Sequence, residues 1–480
     1  MPITSQTVLV LLNQLFFLSF SKAYGFVVPQ QVKYQTRTIE SQNAVRLHAT
    51  KRDEKWGNII ERRSMLSRVL SVSGAVVTAG SLTAFPNSAN ARIGKDSEWP
   101  LWIALPVAPY SKRKTIRRNI GPGVWTFDQL IGIYYVHVPI RMTVIATNQN
   151  TRDAGLLVYA PVAPTKECLS LLQELIDKYG PIKTIILPSV AVEHKVNAGP
   201  FARAFPRADF YATDRQYSFP LNLPSLFLGL PPWTKPLPAS SRIDGKSIWG
   251  ENSEFEHEVL TVKPGPGSQF QDVALFHKPS KTLLICDTVF ATGIDPPVIL
   301  TEEPDYTRAL LFHARDEKDE VVPDTLENRR KGWRRIVLLF NFFFPGSGVG
   351  NLGPGPILQA LGTPTNKYGW GGWKPFSWKE SEIKDFDVFS DGGKPTVLPI
   401  IQIILARGPK EVKNWLNVVT QWNFERVIPA HLDAPLAIDS TQFAQPFQFI
   451  ATGRNEVRFC DEDVAFLRRA EEGFLSFSVF

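Results

Sequence analysis

Two successive batches of strand and helix patterning, separated by a long Pro-, Gly- and Trp-rich stretch, constrain what this 480-residue chain can become. Residues 125–127, 131–147 and 155–162 alternate as antiparallel strands do. Thr165, with Glu167 in the turn after it, opens a helix (TKECLSLLQELIDKYG) that closes on Gly180. The β-branched apolar run IKTIILPS (182–189) reads as a buried strand, followed by a loop (190–199), then a short helix and strand within 200–213. HEVLTVKPG, DVALFHKP and KTLLICDTVF read as three more strands, and residues 291–396 as an insertion. The apolar run 397–406, a helix at 410–422 and a strand at 424–431 restore the alternation, whereas 92–125 read as irregular and basic at KRKTIRR. No internal repeat is visible. Strands first, then strand–helix units in two batches, imply two sheets packed face to face with helices outside.

Charge narrows the partners. The net charge of +7 suggests nucleic acid, but residues 1–91 hold ten Lys/Arg against four Asp/Glu, leaving 43 against 42 for the rest. The body of the protein therefore has no basic field to neutralise phosphates, and no nucleic-acid partner is expected. The three cysteines, Cys168, Cys286 and Cys460, form no C-x-x-C pair. Three buried thiols or a single disulfide both remain open.

The first ninety residues read as an address. An apolar run at 8–20, too short to span a bilayer, leads to Ala23-Tyr24-Gly25-Phe26 and resembles the bipartite presequences of complex plastids. Residues 26–61 then have transit-peptide composition. Arg62-Arg63, a Gly/Ser-diluted apolar core and Ala89-Asn90-Ala91 resemble a twin-arginine lumenal signal. The expected boundaries are a signal peptide at 1–25, a transit peptide at 26–61, a lumenal signal at 62–91, a folded domain at 92–450 and an extension at 451–480. An amphipathic helix with an incidental Arg pair is the alternative for 62–91.

Three strand ends carry metal-ligating side chains in series. Ile185-Ile186-Leu187-Pro188 runs into Ser189-Val190-Ala191-Val192-Glu193-His194; Leu283-Leu284-Ile285-Cys286 runs into Asp287-Thr288-Val289-Phe290; Val427-Ile428-Pro429-Ala430 runs into His431. This series resembles the metallo-β-lactamase superfamily, where H-x-H-x-D-H, G-D-T and P-G-H turns end successive strands. With WTFDQL (125–130), VPIRMTV (138–144), GPFARAFP (199–206), FHARD (312–316) and ENRRKGWRRIVL (327–338), the chain is identified as a member of the DUF4336 branch of cyanobacteria, algae and plants. The resemblance covers roughly residues 97–450. It implies an α/β fold, a metallo-β-lactamase-like αββα sandwich with a long insertion.

The departures define the expected chemistry. Ser189 and Ala191 stand where the superfamily has two histidines, Glu193 where it has aspartate, and Lys263-Pro264-Gly265-Pro266-Gly267 where it has a third-motif histidine. The resemblance then leaves one site of two, made of Glu193, His194, Asp287 and His431, suited to a single Zn or Fe ion. A Glu193–His194 ion pair in a structural remnant is the competing reading, and a metal-free role of the same cleft is a third. Ser189, no longer a ligand, is expected to tolerate replacement by Ala. His313, His137 and His277 read as structural.

Arg329-Arg330-Lys331-Gly332-Trp333-Arg334-Arg335 leads into the apolar run 336–344. It reads equally as an interfacial anchor for peripheral thylakoid contact or as a helix buried on the sandwich, its arginines paired with Asp316, Glu317, Asp319 and Glu320. Two functions follow. One is a mononuclear hydrolase of an ester or thioester small-molecule substrate; the other is a non-catalytic lumenal scaffold, with a photosynthetic protein complex as partner.

Overall fold

A computed structural model describes residues 95–97, 113–133, 135–216, 229–244, 246–250, 253–265, 269–342, 345–350, 374–452, 462–465 and 467–469. The expected address segments 1–25, 26–61 and 62–91, Cys460 and most of the extension at 451–480 lie outside the described residues.

The first sheet is ordered as its strands occur in the chain: β1 (Ile116–Gly121), β2 (Val124–Ile133), β3 (Val136–Thr147), β4 (Gly155–Tyr159), β5 (Ile182–Leu187), β6 (Asp209–Thr213) and β7 (Lys235–Leu237). Pairing is antiparallel through β4 and parallel from β4 to β7. The switch occurs where helices α1 (Lys166–Tyr179) and α2 (Val192–Ala204) enter as crossovers. Helix α1 keeps both ends read from the sequence. Thr165 accepts a hydrogen bond from the Cys168 amide, and Gly180, at φ 96°, closes the last turn onto Ile176. Such a cap contributes about 1 kcal/mol.

After a two-residue pair, β8 (Arg242–Ile243) with β9 (Lys246–Ser247), the second sheet forms from β10 (Phe255–Val262), β11 (Phe270–His277) and β12 (Thr282–Ile285). The insertion follows with α3 (Val298–Glu302), α4 (Pro304–Ala314), α5 (Leu326–Phe342), the paired β13 (Gly348–Gly350) and β14 (Phe376–Trp378), and α6 (Glu382–Ser390). Then α7 (Pro399–Leu405) and α8 (Pro409–Val419) lead to β15 (Arg426–Pro429), which returns parallel to β12.

The two sheets face each other across a core containing Ile145, Leu157, Ile186, Val273, Leu275, Leu284 and Ile428. Their outer faces are covered by helices: Cys168, Leu172 and Leu175 of α1 on one side, Val412, Trp415 and Val419 of α8 on the other. Each leucine so buried contributes on the order of 1.5–3 kcal/mol. The αββα sandwich with a long insertion is therefore present. Two local readings are corrected: part of the irregular basic stretch is strand β1, and most of the loop at 190–199 is the start of α2. The apolar run at 397–406, given no type from the sequence, is mainly the helix α7. Cys168 and Cys286 are buried free thiols.

For 329–342 the structure has the buried helix. Trp333, Ile336, Val337, Leu338 and Phe342 of α5 are enclosed, while Phe343 and Phe344 lie outside the described residues. Gly332 lets α5 cross α4 closely, since a Cβ there would stand 1.9 Å from the Leu310 carbonyl oxygen. Arg335 pairs with Glu382 and Asp316, and Lys331 with Asp316. Arg329 and Arg330 pair with Asp324 and Asp295 rather than with Glu317, Asp319 or Glu320. No helix among the described residues is long and apolar enough to cross a membrane.

The fold also carries an acid-sensitive histidine. Trp249 Nε1 donates to His257 Nδ1 at 2.9 Å, so the proton on the neutral ring lies on Nε2 and is donated to the Pro238 carbonyl at 2.8 Å. Burial pushes this imidazole from 6.5 down to about 4, against the pull of the Pro238 carbonyl. Its folded value lies below its unfolded one, so its stabilisation is intact above pH ~6.5 and is lost as pH falls towards ~4, on the order of 3 kcal/mol in all. Urea unfolding should show that loss. His257→Gln, whose amide can still accept and donate once each, should flatten it; an unchanged pH profile in the variant would refute the assignment.

Candidate metal centre

The register of the second sheet brings two of the four expected residues together. Parallel pairing sets Ile285 opposite Pro429, so Asp287 and His431, each two residues further on, leave neighbouring strands at the same end. From the other sheet, β5 ends at Leu187; Ser189 bridges to Asp272 of β11, and the first turn of α2 delivers Glu193 and His194. All four expected residues converge: one ligand atom from each of Glu193, His194, Asp287 and His431 lies within 4.8 Å of the others.

The distances are short. His194 Nε2 is 3.1 Å from His431 Nε2 and 3.6 Å from Asp287 Oδ1, and His431 Nε2 is 3.4 Å from the same oxygen. His194, Asp287 and His431 are buried and Glu193 is half-buried. His431 Nδ1 donates to the Pro139 carbonyl at 2.8 Å, which fixes the ring with Nε2 turned into the cluster. No such partner holds His194, whose Nδ1 is buried without a hydrogen bond.

Burial works to raise the Asp287 carboxyl, but hydrogen bonds to His194 and His431 and their charge outweigh it and hold the group well below the usual carboxylate range. Burial works to lower His194, and Asp287 outweighs it, so that imidazole is raised. Burial pushes the Cys286 thiol well up, helped by the nearby charges of Asp287 and Asp272.

Around these four stand residues whose role the sequence did not disclose. Ser189 donates to Asp287 Oδ2 and accepts from the Ala191 amide, so the serine orients the Asp287 carboxylate. Asp272 is fully buried and accepts from the Cys286 amide at 3.0 Å, the Asp287 amide at 2.8 Å and the Thr288 hydroxyl, pinning the strand end that presents Asp287. Burial, then the charge of Asp287, pushes its carboxyl up to about 7. Arg141 of VPIRMTV donates to Asp128 at 2.7 Å and to the carbonyls of Pro429 and Leu432, both at 2.8 Å, bracketing His431. The lone clue in the sequence was a charged residue in the middle of an apolar strand.

His137, His277 and His313 are buried outside the cluster. Lys263–Gly265 add no ligand to it, and Pro266 and Gly267 are outside the described residues. A cleft of about 770 Å³ is lined in part by Arg118, Arg141, Gly293, Leu432 and Asp433, and by none of the four clustered residues.

A family model described as "Domain of unknown function (DUF4336)" matches residues 122–449. Comparison with curated proteins finds no match. Similar solved structures include the metallo-beta-lactamase from Pontibacter korlensis, at 10% identity over 70% of this chain and 99% of that one, with a TM-score of 0.32. The Flv1 flavodiiron core from Synechocystis sp. PCC6803 is 9% identical over 71% of this chain and 61% of that one, with a TM-score of 0.35. TMB-1 is also 9% identical, over 71% of this chain and 99% of that one, with a TM-score of 0.34.

Proposed function

We propose, from the premise that this chain belongs to the DUF4336 family, that it is a mononuclear metallohydrolase of the thylakoid lumen acting on an ester or thioester. One observation carries the reading: two imidazoles and two carboxylates from both sheets meet in a buried cluster. The donor chemistry fits a cation. Two imidazole nitrogens and two carboxylates converge within 4.8 Å of one another, the donor set a zinc- or iron-type ion takes.

Zinc or iron, held by His194, Asp287, His431 and Glu193, would supply Lewis-acid activation of water and of a substrate carbonyl. The chain's own part is positional. Pro139 orients His431, Ser189 and the Asp272-anchored backbone orient Asp287, and burial keeps bulk water from the imidazoles. Metal analysis of the purified chain, followed by assay against ester and thioester panels, should give one zinc or iron per chain and metal-dependent turnover. Metal without turnover across the panels would leave the centre and reject the hydrolase.

Ser189 and Ala191, at two positions where the resembling superfamily has imidazoles, favour a second reading: a lumenal scaffold that retains the fold and binds a photosynthetic complex. Contact with the thylakoid membrane through α5 forms no part of the proposal, because Trp333, Ile336, Val337, Leu338, Leu339 and Phe342 of that helix are buried.

The lumenal destination is tested by import. Arg62→Lys with Arg63→Lys is expected to stall the protein on the stromal side, while the unaltered chain reaches the lumen. Equal lumenal arrival would rule out the twin-arginine route.

A further inference from the structure

We propose that Cys286 is a sulfur ligand of the same centre. The inference rests on the metal reading above and extends its ligand set. Cys286 Sγ lies 3.3 Å from His194 Nε2, the atom that is also 3.1 Å from His431 Nε2 and 3.6 Å from Asp287 Oδ1. An imidazole nitrogen offers one proton or one lone pair, so hydrogen bonding cannot account for three polar atoms gathered on it. A shared ion can. Donors held about 2.0–2.3 Å from a tetrahedral ion stand about 3.3–3.6 Å from one another; the 3.3 Å from Sγ to His194 Nε2 falls in that spacing, beside 3.1 to 3.6 Å among His194, Asp287 and His431.

The thiol is placed for the task. Its residue is fully buried, and its amide is fixed on Asp272 at 3.0 Å, in the same grip that holds Asp287. Glu193, in contrast, is half-buried and makes no hydrogen bond to the other members of the cluster. Sulfur beside two imidazoles and a carboxylate turns the site towards thiophilic ions such as zinc, iron(II) or cobalt(II), and away from magnesium, calcium and manganese.

Cobalt(II) loading of the full chain tests this by absorption. The expected result is one cobalt per chain with a thiolate-to-cobalt charge-transfer band. That band should vanish in Cys286→Ser, which should still bind cobalt through His194, Asp287 and His431. It should persist in Cys168→Ser with Cys460→Ser, a variant that decides the matter even if Cys286→Ser fails to fold. A chain that binds one cobalt and shows no such band overturns the sulfur ligand and leaves the metal centre standing, as does a band that survives in Cys286→Ser. A chain that binds no cobalt overturns both.

Discussion

His431→Ala is expected to abolish stoichiometric metal binding, taking the chain from one ion to none under supplementation, and His194→Ala is expected to do the same. Each removes one of the two imidazoles that meet at 3.1 Å and leaves the ionised Asp287 facing a single nitrogen. With a single imidazole left beside the carboxylates and the sulfur, affinity should fall below what supplementation can fill. Ser189→Ala was expected to be silent on the view that Ser189 is a mere replacement for a ligand. Its hydrogen bond to Asp287 changes that expectation to a roughly 10–100-fold weaker affinity, the usual effect of removing a group that orients a ligand. Dialysis equilibrium with elemental analysis reads all three. If the unaltered protein holds well under one ion per chain after supplementation, and His194→Ala leaves thermal stability unchanged, the centre is vestigial and the scaffold reading takes its place.

Arg141→Met should be among the most destabilising single changes in the sandwich. The guanidinium is 3% exposed and makes three donations: to Asp128, to Pro429 and to Leu432. Methionine fills similar volume but leaves the Asp128 carboxylate, 2% exposed, without its close partner and two carbonyls without their donor. Removing one member of such a buried pair costs about 3–5 kcal/mol. Urea denaturation should register that loss. Because the two carbonyls flank His431, metal affinity should fall as well in whatever fraction remains folded. A loss below about 1 kcal/mol would mean that water reaches Asp128 and replaces the arginine.

Much of this was legible in the chain, for identifiable reasons. Helix α1 was found because Thr165 and Gly180 mark its ends chemically, and β5 and β12 because short, largely apolar runs suit buried strands. Strand β1 was missed because IRRNIG lacks alternation: its residues are half-exposed throughout except Asn119, which is exposed. The start of α2 was read as loop because Gly199 and Pro200 lie inside the helix. The glycine is required there, since a Cβ would stand 2.0 Å from the Gly229 carbonyl oxygen. The run at 397–406 is apolar on every side, a pattern without a period to separate helix from strand. The four side chains that cluster were legible because strand ends bring such groups together. Ser189, Asp272 and Arg141 were not, because an orienting residue is defined by what it touches in three dimensions.

His194 enters the cluster from the first sheet, and Asp287 and His431 enter it from the second. An ion held by all three is therefore a rivet between layers that otherwise adhere mainly through apolar contact. Since the unfolded chain scatters these ligands, resistance to heat becomes a function of free ion concentration, rising as RT ln(1 + [M]/Kd). A hundredfold excess over Kd adds about 2.7 kcal/mol. Metal supply in the protein's compartment would then set its lifetime as well as its activity, and starvation for the ion would be read out as turnover of the protein itself.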